Sequence, residues 1–173
     1  MIEVCITSMF IFTVSGFALL NISGIVPGMR ANKAMYQTLA QLRNGREQAI
    51  AQRRNIRMQF LEGNQIQLER QDVPAGTTVL STITLENNFQ FRLFDGIPDS
   101  PDSFGNDSAV DFGSALTLTF LSDGTLADDQ GNPVSGSVFL GLEDHPETAR
   151  AVTILGATGR VRSYRWTGDS WIQ

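Results

Sequence analysis

The 173-residue chain has one cysteine, Cys5, and one histidine, His145. A single cysteine excludes an intramolecular disulfide, so the fold must be held by its core. Cys5 lies in an apolar run and reads as a small hydrophobe. No lipobox precedes it, and no cysteine nucleophile exists elsewhere. His145 sits in Glu-Asp-His-Pro, a turn-like setting that suits an exposed residue better than a general base. Gly156-Ala157-Thr158-Gly159-Arg160 lacks the spacing and the lysine of a phosphate-binding loop. Asp95, Asp99, Asp102, Asp107 and Asp111 offer oxygen ligands of the kind calcium takes, but their spacing fits no dedicated calcium loop. These absences point away from an enzyme and call for no cofactor and no metal.

Charge is also missing where it would be most informative. The first 26 residues carry only Glu3, and Val4 to Val26 has no Asp, Glu, Lys or Arg. Roughly 20 apolar residues suffice to cross a bilayer as a helix. Nothing basic precedes the run and it is too long for a secretory signal, which has a basic start and a short apolar centre. A buried core helix of this length would be unusual in so small a chain. The expectation is a membrane anchor. Thr7, Ser8, Thr13, Ser15, Gly16, Asn21, Ser23 and Gly24 scatter small and hydroxylated side chains along it, which lets helices approach closely in lipid. Glu3, a carboxylate at the edge of this segment, is a candidate functional residue because such a charge is expensive there.

The remaining charge is segregated. Met29 to Arg57 holds seven bases against Glu47 alone; Met58 to Glu147 holds fifteen acids against Arg70 and Arg92; Thr148 to Gln173 holds four arginines against Asp169. An acidic middle between a basic stem and a basic tail suggests pairing between subunits or with an anionic partner, beside the plainer reading of a solvated surface of mixed sign.

Between residues 28 and 54, Met35, Leu39, Leu42, Ala49 and Ile50 recur at three- and four-residue spacing, one apolar stripe of an amphipathic helix. Pro27-Gly28 predicts a kink or local unwinding between this stem and the anchor. After Asn55 the period becomes two. Ile56, Met58 and Phe60, the turn Glu62-Gly63-Asn64, then Ile66 and Leu68 predict a β-hairpin. Further strands are expected over 77–85, 89–94, 116–121, 137–142, 149–155 and 160–166, with a long exposed loop over 95–110. One helix followed only by strands is an α+β chain with antiparallel pairing.

Met1-Ile2-Glu3-Val4, the stem from Val26 to Phe60, the segment FLSDGTLADDQGNP and the closing ARAVTILGATGRVRSYRWTGDSW together resemble the GspH/FimT family of pseudopilins and minor pilins. The likeness covers nearly the whole chain. It implies a pilin-like fold, with a long N-terminal helix packed on an antiparallel β-sheet domain. The parts would be a transmembrane anchor over 1–27, an amphipathic stem over 28–54 and a periplasmic β-rich domain over 55–173. It implies a structural subunit of a type II secretion pseudopilus or type IV pilus. The partners would be other pilin subunits, the inner-membrane assembly platform and membrane lipid. Glu3 then corresponds to the glutamate that neutralises a neighbouring subunit's N-terminal amine during assembly; a glutamate merely lying at the membrane interface is the plainer alternative. Pilins carry a leader and a cleavage glycine that this sequence does not show, so the expectation is a truncated chain or one started at an internal Met. Pro27 also lies about two helical turns farther from the glutamate than is usual in pilins. Basic residues after the anchor would by charge alone face the cytoplasm; the resemblance places the domain in the periplasm instead.

Gly159-Arg160-Val161-Arg162 puts two guanidinium groups on one strand face, with Arg165 on the other. Arginine suits phosphate through its two-pronged donor geometry. Some FimT-type minor pilins capture DNA through a Gly-Arg-x-Arg tail, so Arg160, Arg162 and Arg165 are candidate DNA-binding residues. Ion pairs to the acidic loop would explain the same arginines. The stem arginines Arg43, Arg46, Arg53, Arg54 and Arg57 form a second basic set.

Overall fold

The computed structural model describes residues 2–115 and 117–173; the side chains of residues 2, 5 and 11–25 lie outside that description. One helix, α1 (Ile2–Gln52), opens the chain and is 51 residues long, about 75 Å at the standard rise. Among the described residues no helix is long and apolar enough to cross a membrane; most of the expected anchor, Cys5 included, falls on side chains outside the described set. Of the kink or local unwinding expected at Pro27-Gly28, the unwinding does not occur, because α1 runs through both residues. Proline removes one backbone donor there, and the turn that follows is braced from outside by Arg150, described below.

Among the described residues eleven strands follow: β1 (Ile56–Leu61), β2 (Gln65–Gln71), β3 (Thr77–Thr84), β4 (Gln90–Phe91), β5 (Val110–Asp111), β6 (Leu118–Phe120), β7 (Leu126–Ala127), β8 (Gly136–Leu142), β9 (His145–Leu155), β10 (Arg160–Trp166) and β11 (Trp171–Ile172). They form two antiparallel sheets, ordered β3-β2-β1-β6-β7 and β11-β10-β9-β8-β4, with β5 also paired to β8. The expected hairpin is β1–β2, in register from Ile56↔Arg70 to Leu61↔Gln65. Gly63 turns it at φ 80°, a left-handed conformation that glycine adopts without steric cost.

Period and burial agree. Ile56, Met58, Ile66 and Leu68 alternate inward and are buried, as are Val138, Leu140, Val152, Ile154 and Val161 of the second sheet. Both inner faces meet α1 through Ala31, Ala34, Met35, Leu39, Leu42 and Ala49 in one core. Small residues set the distance: a Cβ on Gly45 would stand 3.0 Å from the Phe120 ring. Met35, Leu39, Leu42 and Ala49 are buried as the stripe predicts, but Ile50 is 42% exposed. Ala49 takes the inward place in the last turn, and Ile50 rests at the core's edge against Gly124.

Other boundaries shift for packing reasons. The strand expected over 89–94 shrinks to β4, because Phe89 is buried in the core and Phe94 folds its ring onto Gly141, where a Cβ would stand 2.2 Å away. β9 begins at His145, four residues earlier than expected, because Leu142↔His145 pairing extends the β8–β9 hairpin. The stretch 95–110 is not the freely exposed loop its composition suggests. Ser100 is buried, Ile97 nearly so, and the carboxylate of Asp102 is held against the outer face of the second sheet. That face carries a second, small core of Phe139, Ala151 and Tyr164, with Leu93 and Trp171 packed on it.

Candidate assembly and anion-binding surfaces

Glu3 lies in the first turn of α1 and is exposed. Thr7 donates its hydroxyl to the Glu3 carbonyl at 2.8 Å, and Ser8 donates to the Val4 carbonyl. Val4, Ile6, Met9 and Phe10 around it are exposed apolar side chains, whereas the α1 residues of the core begin at Ala31. The described part of this end of the helix therefore offers an apolar surface topped by one carboxylate.

The three tail arginines on β10 reach three different environments. Arg162 donates from Nη1 to Asp102 Oδ1 at 2.5 Å. The other oxygen of Asp102 accepts from Thr153 Oγ1 at 2.6 Å and Tyr164 Oη at 2.8 Å. Burial pushes the Asp102 carboxyl up, but the bonds from Thr153, Tyr164 and Arg162 outweigh it and hold the group below the usual aspartate range. Arg162 is thus committed to the acidic loop, the alternative reading of the tail. Asp99 and Asp111 are likewise engaged internally, accepting from the backbone N–H groups of Ser100 and Gly105, and of Asp107 and Gly113.

Arg160 is exposed at the start of β10. It borders a shallow depression of about 350 Å³ with Arg43, Arg46, Glu47, Gly159 and Val161. Gly159 makes the approach possible. Its φ is +61°, and a Cβ there would stand 2.3 Å from the Gly124 carbonyl and 2.6 Å from Arg46 Cδ. Arg46 Nε is buried without a hydrogen-bond partner. Among the described residues, none of Arg43, Arg46 and Arg160 has a carboxylate at ion-pair distance. Arg165, five residues along β10 and so roughly 16 Å from Arg160, lies beside Asn32, Met35, Tyr36 and Ser163.

Arg150 is the residue the sequence reading passed over. It is 2% exposed, yet among the described residues no carboxylate stands at ion-pair distance from it. Its Nε donates to Asn32 Oδ1 at 2.9 Å, Nη1 to the Ala149 carbonyl at 2.8 Å, and Nη2 to the Gly28 carbonyl at 3.4 Å. Desolvation, with a smaller push from Arg165, lowers its pKa to about 10, which leaves it charged at neutral pH. It ties β9 to α1 just beyond Pro27. A single arginine inside the apolar strand Ala149 to Leu155 is the signal that would have found it. His145 is half-exposed and lies 2.8 Å from Glu147.

One long N-terminal helix packed along two antiparallel sheets defines a pilin-like architecture. Two solved structures share it. The type IV minor pilin FimU of Pseudomonas aeruginosa matches with a TM-score of 0.53 at 17% identity, over 82% of this chain and 92% of that one. The minor pseudopilin EpsH from the Type 2 Secretion System of Vibrio cholerae matches with a TM-score of 0.52 at 18% identity, over 82% and 99%. The sequence matches no family model and no curated protein. The fold is that of minor pilins and pseudopilins, as the GspH/FimT resemblance implied.

Proposed function

We propose that this chain is a minor subunit of a type IV pilus or a type II secretion pseudopilus. The first half of α1 anchors it in the inner membrane and later packs among the helices of the filament. The β-domain stands in the periplasm and presents contact surfaces to other subunits. Its role is structural and not catalytic. The observation that carries this reading is the helix itself: it leaves the domain bearing exposed Val4, Ile6, Met9 and Phe10, a surface that water disfavours and that lipid or neighbouring helices would cover. Glu3 supplies the register, because a carboxylate in an apolar setting is costly until it is paired. Glu3→Ala should leave the domain folded and the protein in the membrane, and should reduce its recovery in sheared filaments. Undiminished recovery would remove the role given to Glu3.

A second reading is favoured by one specific feature, the depression shared by Arg43, Arg46 and Arg160. Three guanidinium groups with only Glu47 among them suit a phosphate backbone, and this second reading adds DNA capture to assembly. Arg162 is occupied by Asp102 and Arg165 stands at the other end of β10, so the contact would use the stem and the start of the tail. Gel-shift titrations at two salt concentrations test it, because releasing counterions from about three phosphates gives a log–log salt slope near −2.7. Arg43→Ala with Arg160→Ala should flatten that slope. No shift at micromolar protein in low salt would remove the DNA reading and leave the assembly role standing.

A further inference from the structure

The two tryptophans of the chain, Trp166 and Trp171, stand together, their ring centroids 5.3 Å apart. They lie at the end of the domain from which α1 departs. The course of β10 fixes this. Its first residue, Arg160, sits by Arg43 and Arg46, and Arg165 sits by Asn32 and Tyr36. Arg150, paired across the sheet with Arg165, bonds to Gly28 and Asn32. The tryptophan pair is therefore level with about residues 28–36 of α1, which begin two residues, or about 3 Å, past the uncharged run ending at Val26.

The same end carries exposed apolar side chains on both elements: Met29 at 66%, Tyr36 at 59% and Ile172 at 39%. Tyr36, Arg165 and Ile172 line one hollow, and Met29, Lys33 and Tyr36 line the next. Arg30 and Arg165 are exposed and have no ion pair among the described residues. Tryptophan and arginine at the end of the domain where an apolar helix leaves it is the composition of a membrane–water interface. The headgroup layer on each side of the hydrocarbon is about 5–7 Å deep, which reaches Met29 and Arg30, while Tyr36 stands about 15 Å past Val26 along α1.

We infer that this end of the domain docks on the bilayer surface. Trp166, Trp171 and Ile172 enter the headgroup layer, and Arg30 and Arg165 meet lipid phosphates. The inference rests on the membrane-anchor reading of the run from Val4 to Val26. Acids are present too. Lys33 is paired with Glu86 and Arg92 with Glu143, while Asp144 and Asp169 occupy nearby turns and Glu147 the start of β9. They offset the arginines, so aromatic insertion and not net charge drives the docking, and neutral lipid suffices.

The natural tryptophans make the test direct, since no other residue reports their signal. The full chain is reconstituted in phosphatidylcholine vesicles containing lipids spin-labelled either near the headgroup or deep in the acyl chain. The shallow label should quench the tryptophan emission more than the deep one. Ile172→Ser with Arg165→Glu should reduce the shallow quenching roughly twofold, as losing one apolar and one cationic anchor implies, while the protein still floats with the vesicles. Floating protein whose tryptophans are open to aqueous acrylamide and unquenched by lipid would overturn this docking and leave the anchor intact. Stronger quenching by the deep label would overturn the headgroup placement. Shielding that depends on the protein-to-lipid ratio would assign the patch to a second copy instead. Protein that does not float would overturn the anchor reading, and this inference with it.

Discussion

Removing the Asp102 carboxylate should unpin residues 95–110 from the second sheet. Asp102→Ala deletes the acceptor of three bonds, from Arg162, Thr153 and Tyr164. The Asp102 side chain is 12% exposed and that of Arg162 is 34% exposed, so the ion pair is partly screened and is counted at the low end. Hydrogen bonds to a charged group contribute about 1.5–3 kcal/mol each when isolated. Three bonds sharing one carboxylate are not additive, and the exposed arginine can return to water. Thr153 and Tyr164 are almost fully buried, so their hydroxyls lose an acceptor that water replaces poorly. We expect a cost of about 3 kcal/mol, which is roughly 6–12 °C in Tm for a chain of this size. Tyr164→Phe should cost about 1 kcal/mol, because the carboxylate keeps two donors. The pH dependence follows from the sign of the shift. The folded pKa lies below the ordinary 3.8, so the contribution is fully present above that value and is lost as pH falls through the folded pKa. The gap between wild type and Asp102→Ala should therefore be constant near neutral pH and close below about pH 4. Thermal unfolding followed by circular dichroism, with the full chain in a non-ionic detergent, measures both. A Tm change under about 2 °C, or a gap that widens in acid, would refute the account.

The remaining expectations are simpler to state. Leu42→Ala should destabilise by about 2–5 kcal/mol, because a fully buried leucine leaves a cavity, while Ile50→Ala in the next turns should cost under about 1 kcal/mol; denaturant midpoints compare the two. Gly159→Ala should cost about 2 kcal/mol or more, from a positive φ and a Cβ aimed at the Gly124 carbonyl, and should also displace Arg46, so it is to be read by unfolding before any binding assay. Arg150→Ala should loosen α1 near Gly28 and Asn32 as well as lower stability; amide exchange faster around residues 28–32 than in Arg150→Lys would show the brace, and equal rates would count against it.

Local pattern was enough for much of this protein. A change of period from 3.6 to 2 at Asn55 marks the end of the helix, because side-chain direction along each backbone is set by local geometry. The alternation in β1 and β2 likewise told which side chains turn inward, whereas Arg160 and Arg162, expected on one face, reach the stem and the outer-face Asp102 respectively. What needed the tertiary structure was every relation between segments distant in the chain. Asp102 lies 60 residues before Arg162, and composition alone made its loop look solvated, since glycine, proline and aspartate read the same whether their polar groups meet water or protein. Arg150 ties to Gly28 across 122 residues. Arg43 and Arg46 join Arg160 only because Gly159 lets the β9–β10 turn touch the stem. Ile50 satisfied the helical spacing and is still outside, because Ala49 takes the inward place in its turn. Side-chain direction is a local property of the backbone, whereas the partner of a charge is chosen by how the elements pack, and it is packing that separated the tail arginines into a structural clamp, an open cation and a residue at the end of the domain from which α1 departs.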